Sequence, residues 1–208
     1  MYVSREPELA ELAIGDQPGA WQALGFHVDD GNLDLGGIRI RLGDDEEREG
    51  TGILSWSLRG VNAMGSIDGL PSPVPRVLRP PPFATHPNGA TGLDHVVVST
   101  PDFNRTAAAF RRAGMPLKRT HEAGEMRQGF RRMGSAIVEL VHSPQVNGSD
   151  THFWGLTVVV ISLEDLSQRL GDRLGEIRPA VQPGRRIATL QPTDGVSPRL
   201  AFMSPEPP

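Results

Sequence analysis

Apolar and polar positions run in two nearly matching series along the second half of the chain. The first opens with Leu93-Asp94-His95-Val96-Val97-Val98-Ser99 and closes with Ala136-Ile137-Val138-Glu139-Leu140-Val141-His142-Ser143-Pro144. The second opens with Leu156-Thr157-Val158-Val159-Val160-Ile161-Ser162 and closes with Arg199-Leu200-Ala201-Phe202-Met203-Ser204-Pro205. Short apolar runs bounded by turn residues predict buried strands. In the first series the spacing predicts a strand over 94–100 and a helix over 102–113 closed by Gly114. Strands over 115–119, 126–133 and 136–141 follow, the last two turned by Gly134-Ser135. The second series predicts a strand over 156–161, a helix over 163–170, and strands near 178–181, 186–190 and 200–203. Each series is a β-α-β-β-β unit, and a repeated unit constrains architecture before any single residue is weighed.

Residues 1–61 read as a degenerate third unit. Strands are predicted at 9–14, 26–28, 33–42 and 53–58, with a short helix over 18–24. Asp29 to Asn32 is a turn, and Asp44 to Gly50 is a charged hairpin tip. Residues 62–91 form a linker in which the prolines from Pro71 to Pro87 exclude helix and interior strand. Val74, Val77, Leu78 and Phe83 predict that the linker packs as an extended strap. The units at 92–144 and 152–205 would form one two-unit domain.

Composition narrows the function classes. A chain of 208 residues can bury a core without staples, and its 24 Gly and 19 Pro favour short strands and turns. A net charge of −4 argues against a nucleic-acid or anionic-membrane partner. The absence of cysteine removes disulfides, thiolate zinc sites and thiol nucleophiles. No basic segment followed by an apolar run opens the chain, and no apolar run could span a bilayer, so a cytoplasmic protein is expected. No nucleotide-binding glycine motif is present.

The run Leu93 to Val98 followed by Pro101-Asp102, with the Glu139 strand ending in His142-Ser143-Pro144, resembles the vicinal oxygen chelate superfamily. This group is also called the glyoxalase/bleomycin-resistance/dioxygenase superfamily, and the chain looks most like glyoxalase-like proteins of actinobacteria. The resemblance spans Gly92 to Pro205 and is weak before residue 62. It implies an α+β fold in which βαβββ modules form a half-open, mostly antiparallel eight-stranded barrel, with the degenerate N-terminal module as an extra. It does not imply one reaction, because the superfamily includes lyases, isomerases, dioxygenases and non-catalytic drug binders.

Superfamily enzymes usually hold a divalent metal with residues on the first and last strand of each module, leaving positions open for two substrate oxygens. His95 and Glu139 match two of the four positions; Thr157 and Leu200 align with the other two and are poor ligands. A divalent metal (Zn, Fe, Mn or Ni) on His95 and Glu139 is therefore one reading, with His152 placed to compensate for a missing ligand and His121 and His142 as weaker candidates. Proton transfer by the same pair without a metal is a second reading. A structural polar pair is a third.

Strand alternation groups Gln128, Phe130 and Arg132 on one face, and Arg127, Gly129 and Arg131 on the other. An inward arginine suits a carboxylate or phosphate. Gln128, Phe130, Arg132, Trp154 and Arg186 are therefore the candidate ligand-binding residues, although Trp154 also reads as core and Arg185-Arg186 as a turn exit. Ser99 and Thr100 read as helix-capping residues. The expected function is binding of a small oxygenated, anionic metabolite in the barrel, with lyase- or isomerase-type chemistry. The alternative is capture of a small molecule without catalysis. An unpartnered first module predicts a homodimer.

Overall fold

The computed structural model describes residues 6–43, 52–62, 65–76, 79–143, 149–192 and 195–207. The second half forms one eight-stranded sheet from two units. The first unit is β7 (Ala90–Ser99), α2 (Phe103–Arg112), β8 (Arg119–Ala123), β9 (Met126–Met133) and β10 (Ala136–His142). The second is β11 (His152–Val160), α3 (Leu163–Leu170), β12 (Arg178–Pro179), β13 (Arg186–Thr189) and β14 (Arg199–Met203). The strand order β12-β13-β14-β11-β7-β10-β9-β8 puts the two opening strands side by side at the centre. They pair antiparallel, while each closing strand runs parallel to its own opening strand. The two edge strands do not pair with each other, so the barrel is half-open, as the resemblance implied.

Helix ends follow local chemistry. Asp102, rather than Ser99 or Thr100, caps α2 by accepting from the Arg105 N–H at 3.0 Å; Thr100 instead accepts from the Asp102 N–H. Ser162 caps α3 through the Asp165 N–H. Between α2 and β8 the expected strand over 115–119 is an irregular connection. It holds to the sheet through the Lys118 N–H, which bonds the Phe130 carbonyl, and regular pairing begins only at Arg119.

The N-terminal part comprises β1 (Glu8–Ile14), α1 (Pro18–Gln22), β2 (Asn32–Leu35), β3 (Ile38–Leu42) and β4 (Ile53–Arg59), with sheet order β2-β3-β1-β4. Two sequence expectations change here. The run 33–42 is a hairpin, because Gly36 and Gly37 take φ of 58° and 87°, a region that favours glycine. Phe26 to Val28 is not a strand; Phe26 sits in the core with its ring 5.4 Å from Trp21 and 6.2 Å from Phe202. The charged tip at 44–50 lies outside the described residues.

Pairing also differs from the later units. In the N-terminal sheet it is the third strand, β3, that lies parallel to β1, and β4 pairs antiparallel on the other side. The order β2-β3-β1-β4 thus reproduces the central strands β9-β10-β7-β11 of the larger sheet.

One face of the larger sheet, bearing Val96, Val98, Val138, Leu140, Leu156, Val158 and Phe202, belongs to a single core cluster shared with the helices and the N-terminal sheet. Trp56 joins the layers, with its ring 5.9 Å from Phe110 of α2 and 5.2 Å from Phe153 of β11. The linker packs, but not through the expected apolar residues. Val74 and Phe83 are exposed, and Val77 and Leu78 lie outside the described residues. Ile67 and Leu70 are buried in the core instead, and the later part of the linker is held by polar groups. His86 accepts from the His27 N–H and reaches the Asp34 carbonyl, and Asn88 donates to the Leu24 carbonyl. Within the linker, β5 (Gly65–Ile67) and β6 (Leu70–Ser72) form a separate hairpin, where every strand is an edge and Pro71 is tolerated. No helix among the described residues is long and apolar enough to cross a membrane.

Candidate active site

The sheet's other face is its inner face, and register assigns its residues. Paired residues on neighbouring strands share a face. Thr157, His95, Ile137 and Arg132 form one row across β11, β7, β10 and β9. Gly155, Val97, Glu139 and Phe130 form the next, and Ser99, Val141 and Gln128 the third. His95, Glu139, Gln128, Phe130 and Arg132 therefore share one face, as alternation predicted. Arg127 and Arg131 lie on the opposite face. Arg131 is buried against Glu6, and Arg127 lies over the Phe103 ring and pairs with Glu122.

A β-bulge shapes the centre. Val158 and Thr157 of β11 face Leu93 and His95 of β7, so Asp94 is the extra residue. A bulge turns a neighbouring side chain toward its partner's face. Here it lets the Asp94 carboxylate contact the Nδ1 of the next residue, His95. Arg185, 6% exposed, completes the group: its Nη1 lies 2.7 Å from Asp94 and its Nε donates to the Ser204 carbonyl at 2.9 Å. The His95 and Arg185 neighbours hold the Asp94 carboxyl below the usual carboxylate range, against the opposing effect of burial. With Nδ1 turned to a carboxylate, the His95 Nε2 is the nitrogen left for a ligand.

Glu139 is the acidic member. Burial pushes its carboxyl above the ordinary value, while His95 and the Gln128 amide, 2.8 Å from Oε1, work against that rise. A half-buried carboxyl with a raised pKa beside an oriented imidazole is placed to exchange a proton.

The other expected residues divide. Arg132 is exposed and opposite Ile137, at the edge of the inner face. Trp154 is not core: it is 49% exposed and its ring lies 5.7 Å from the Arg199 guanidinium carbon. Arg186 is not on this face; it pairs with Glu164 of α3 on the helix side. Arg185, which looked like a turn exit, is the arginine that reaches the site. No local signal separates the two, since only the side on which each leaves the turn differs.

The metal positions also need correction. Leu200 pairs with Leu156 and is buried on the helix side, so it is not the counterpart of Glu139. Register makes Met203 that counterpart: it pairs with Val159 as Glu139 pairs with Val97. Thr157 and Met203 supply neither a carboxylate nor an imidazole. His142 turns away toward the Thr100 carbonyl, and His121 and His152 are exposed. Among the described residues no group of three His, Asp or Glu side chains is placed to hold a metal, so the residues do not fit the usual divalent ion.

A recess of about 360 Å³ lies elsewhere, between the start of α2 and the β8–β9 turn. It includes neither His95 nor Glu139, and its Arg127 is already held by Glu122 and Asn104.

No protein-family model and no curated protein matches the sequence. Solved structures do. A triple mutant of 4-hydroxymandelate synthase from Streptomyces coelicolor matches with a TM-score of 0.64 at 16% identity, covering 96% of this chain and 93% of that one. Methylmalonyl-CoA epimerase from Mycobacterium tuberculosis matches with a TM-score of 0.46 at 23% identity, covering 57% of this chain and 91% of that one. The Streptomyces coelicolor methylmalonyl-CoA epimerase matches with a TM-score of 0.43 at 18% identity, over 55% of this chain and 97% of that one. Two βαβββ units joined through antiparallel opening strands into a half-open eight-stranded sheet, together with the end-to-end likeness to the synthase, give this chain the fold of the vicinal oxygen chelate superfamily.

Proposed function

We propose that the inner face binds a small oxygenated, anionic metabolite and that Glu139 and His95 exchange a proton with it. The observation that carries this reading is the half-buried Glu139 carboxyl, its pKa raised by that burial, beside an imidazole oriented by Asp94 and Arg185. Glu139 would act as base. Gln128 occupies Oε1 and leaves Oε2 for the substrate. His95, whose Nδ1 faces the Asp94 carboxylate, would present Nε2 to the substrate and exchange the proton there. Val97, Ile137, Val141 and Phe130 supply apolar walls, and Arg132 a positive edge. The chemistry is proton transfer of lyase or isomerase type and needs no step on a metal.

The test is to incubate the protein with a panel of short 2-oxo and 2-hydroxy acids in D2O and follow deuterium incorporation by NMR. Incorporation that E139Q removes, with binding retained by calorimetry, supports the reading. Binding without incorporation by any panel member would replace it with the second reading, ligand capture without catalysis. That alternative draws on Thr157 and Met203, which leave the usual ligand set half-built.

The same proposal includes a two-fold homodimer through the N-terminal sheet, whose outer strand β2 is paired on one side only. A monomer by light scattering at low micromolar concentration would end that part. The protein is placed in the cytoplasm on the same terms.

A further inference from the structure

The margin of the inner face at β9 and β8 carries charge that the proton transfer proposed above does not use. Arg119 of β8 pairs with Phe130 of β9, which pairs with Glu139 of β10, so the three share one row. Arg132 lies two residues along β9 from Phe130, in the row of Ile137 and His95. Arg119 and Arg132 are therefore diagonal neighbours on the inner face. Such neighbours stand roughly 7–8 Å apart at the backbone, within reach of long side chains.

A contrast within one strand sets these arginines apart. On the other face of β9, Arg127 and Arg131 are each held by a carboxylate, Glu122 and Glu6. Arg119 and Arg132 are exposed and have no carboxylate partner among the described residues. A cation on the edge strand β8 also discourages pairing with another sheet. That role calls for no second guanidinium on β9, one strand further in. The surface from this margin to the site is continuous: Phe130, Ile137 and Glu139 are each half-buried, so solvent reaches every position between the two guanidiniums and the Glu139 carboxyl. β8 does not pair with β12, so no strand of that sheet covers the margin.

Two guanidinium forks suit a group with more than one charge. A carboxylate carries one charge and fills one fork. A phosphate monoester carries about two charges at neutral pH and presents three acceptor oxygens. We infer that Arg119 and Arg132 clamp the phosphoryl group of the ligand, so that the anionic metabolite of this site is a phosphate monoester. Its body lies over Phe130, and its reacting carbon reaches Glu139 and His95. This rests on the proposed function only for the Glu139 end. Arg119 and Glu139 stand two strands apart, about 10 Å between backbones at roughly 4.8 Å per strand. Both side chains span part of that distance, which places the phosphoryl group a few bonds from the reacting carbon.

The full chain is titrated by calorimetry with phosphoglycolate, with glycolate, and with malonate, which has two carboxylates and no phosphate. The expected result is saturable binding of phosphoglycolate, at least ten-fold tighter than that of glycolate or malonate. R119A and R132A should each weaken it at least ten-fold. R132K, which keeps the charge and loses the fork, should fall between. R112A removes an exposed cation of α2, on the helix side of the sheet, and should change nothing. Far-UV circular dichroism checks that each variant is folded. Equal affinities for phosphoglycolate and malonate overturn the phosphate class. No binding of phosphoglycolate at millimolar concentration, unchanged binding in either R119A or R132A, or an equal loss in R112A overturns the clamp. The deuterium-exchange panel separates the two proposals. If phosphoglycolate binding depends on both arginines while no acid exchanges deuterium, the clamp stands and the proton transfer falls. If exchange depends on Glu139 while R119A and R132A leave phosphoglycolate binding untouched, the clamp falls alone.

Discussion

The two halves of the eight-stranded sheet have the same strand order and register but carry different chemistry. His95 and Thr157 face each other across the central strand pair, each flanked by its own parallel closing strand. On the helix side the halves match in kind, with Val96, Val138 and Leu140 answering Leu156, Val158 and Phe202, all buried. On the inner face they do not: His95 and Glu139 answer Thr157 and Met203. The packed face is constrained by core volume, so both halves meet the same demand. The inner face is free of that packing demand, and there one half carries ionisable groups. The bulge at Asp94 adds to the difference, and Arg185 crosses over from the second half to neutralise it.

The largest expected stability effect comes from separating that crossover. R185A leaves the Asp94 carboxylate, with a side chain 11% exposed, without its cation, and should cost about 3–5 kcal/mol in urea unfolding. The matched change in the other half, T157V, removes no charge partner and should cost no more than one neutral hydrogen bond, about 0.5–1.5 kcal/mol. Equal losses would mean that the charged group is an ordinary part of the core. The comparison can also be erased. The double change T157H and M203E supplies an imidazole and a carboxylate at the two unfilled positions. Purified protein should then rise from trace to about one zinc per chain by mass spectrometry. No uptake would mean that the halves differ in geometry as well as in side chains.

Two smaller effects depend on pH. Glu139 has a folded pKa raised above its ordinary 4.5. Its contribution to stability is therefore full below that value and is lost as pH rises through the folded pKa. E139Q removes this loss, so its midpoint should exceed wild type by a few degrees at pH 8 and converge with it near pH 4. A gap independent of pH would show that the carboxyl does not titrate in the folded protein. His86, outside both halves, runs the other way. Burial lowers its pKa from 6.5, and the nearby His27 acts in the same direction, while the hydrogen bond to the Asp34 carbonyl opposes them. Stability from His86 is present above pH 6.5 and is lost as pH falls through that value. H86N should flatten the slope between pH 7 and 5, and an unchanged slope would clear the linker of any role.

Much of the architecture was legible along the chain, because period-two alternation and turn glycines act over neighbouring residues. The runs from Leu93 and Leu156 marked the opening strands, and Gly134-Ser135 marked the β9–β10 turn. Alternation also put Gln128, Phe130 and Arg132 on one face. It failed where that regularity breaks. The Gly36-Gly37 turn splits what looked like one strand. Leu200 aligns with Glu139 because both stand at the same distance before a Ser-Pro end, yet the two lie on opposite faces of the sheet.

What the sequence by itself determined was the β-α-β-β-β order and the superfamily resemblance, and it offered His95 and Glu139 as candidate site residues. Tertiary structure decided the rest. Which arginine enters the site, where Asp94 points, which residue answers Glu139, and whether Trp154 meets solvent all depend on register between strands distant in sequence. A one-residue shift in that register moves a side chain from one face to the other, and no local pattern encodes it.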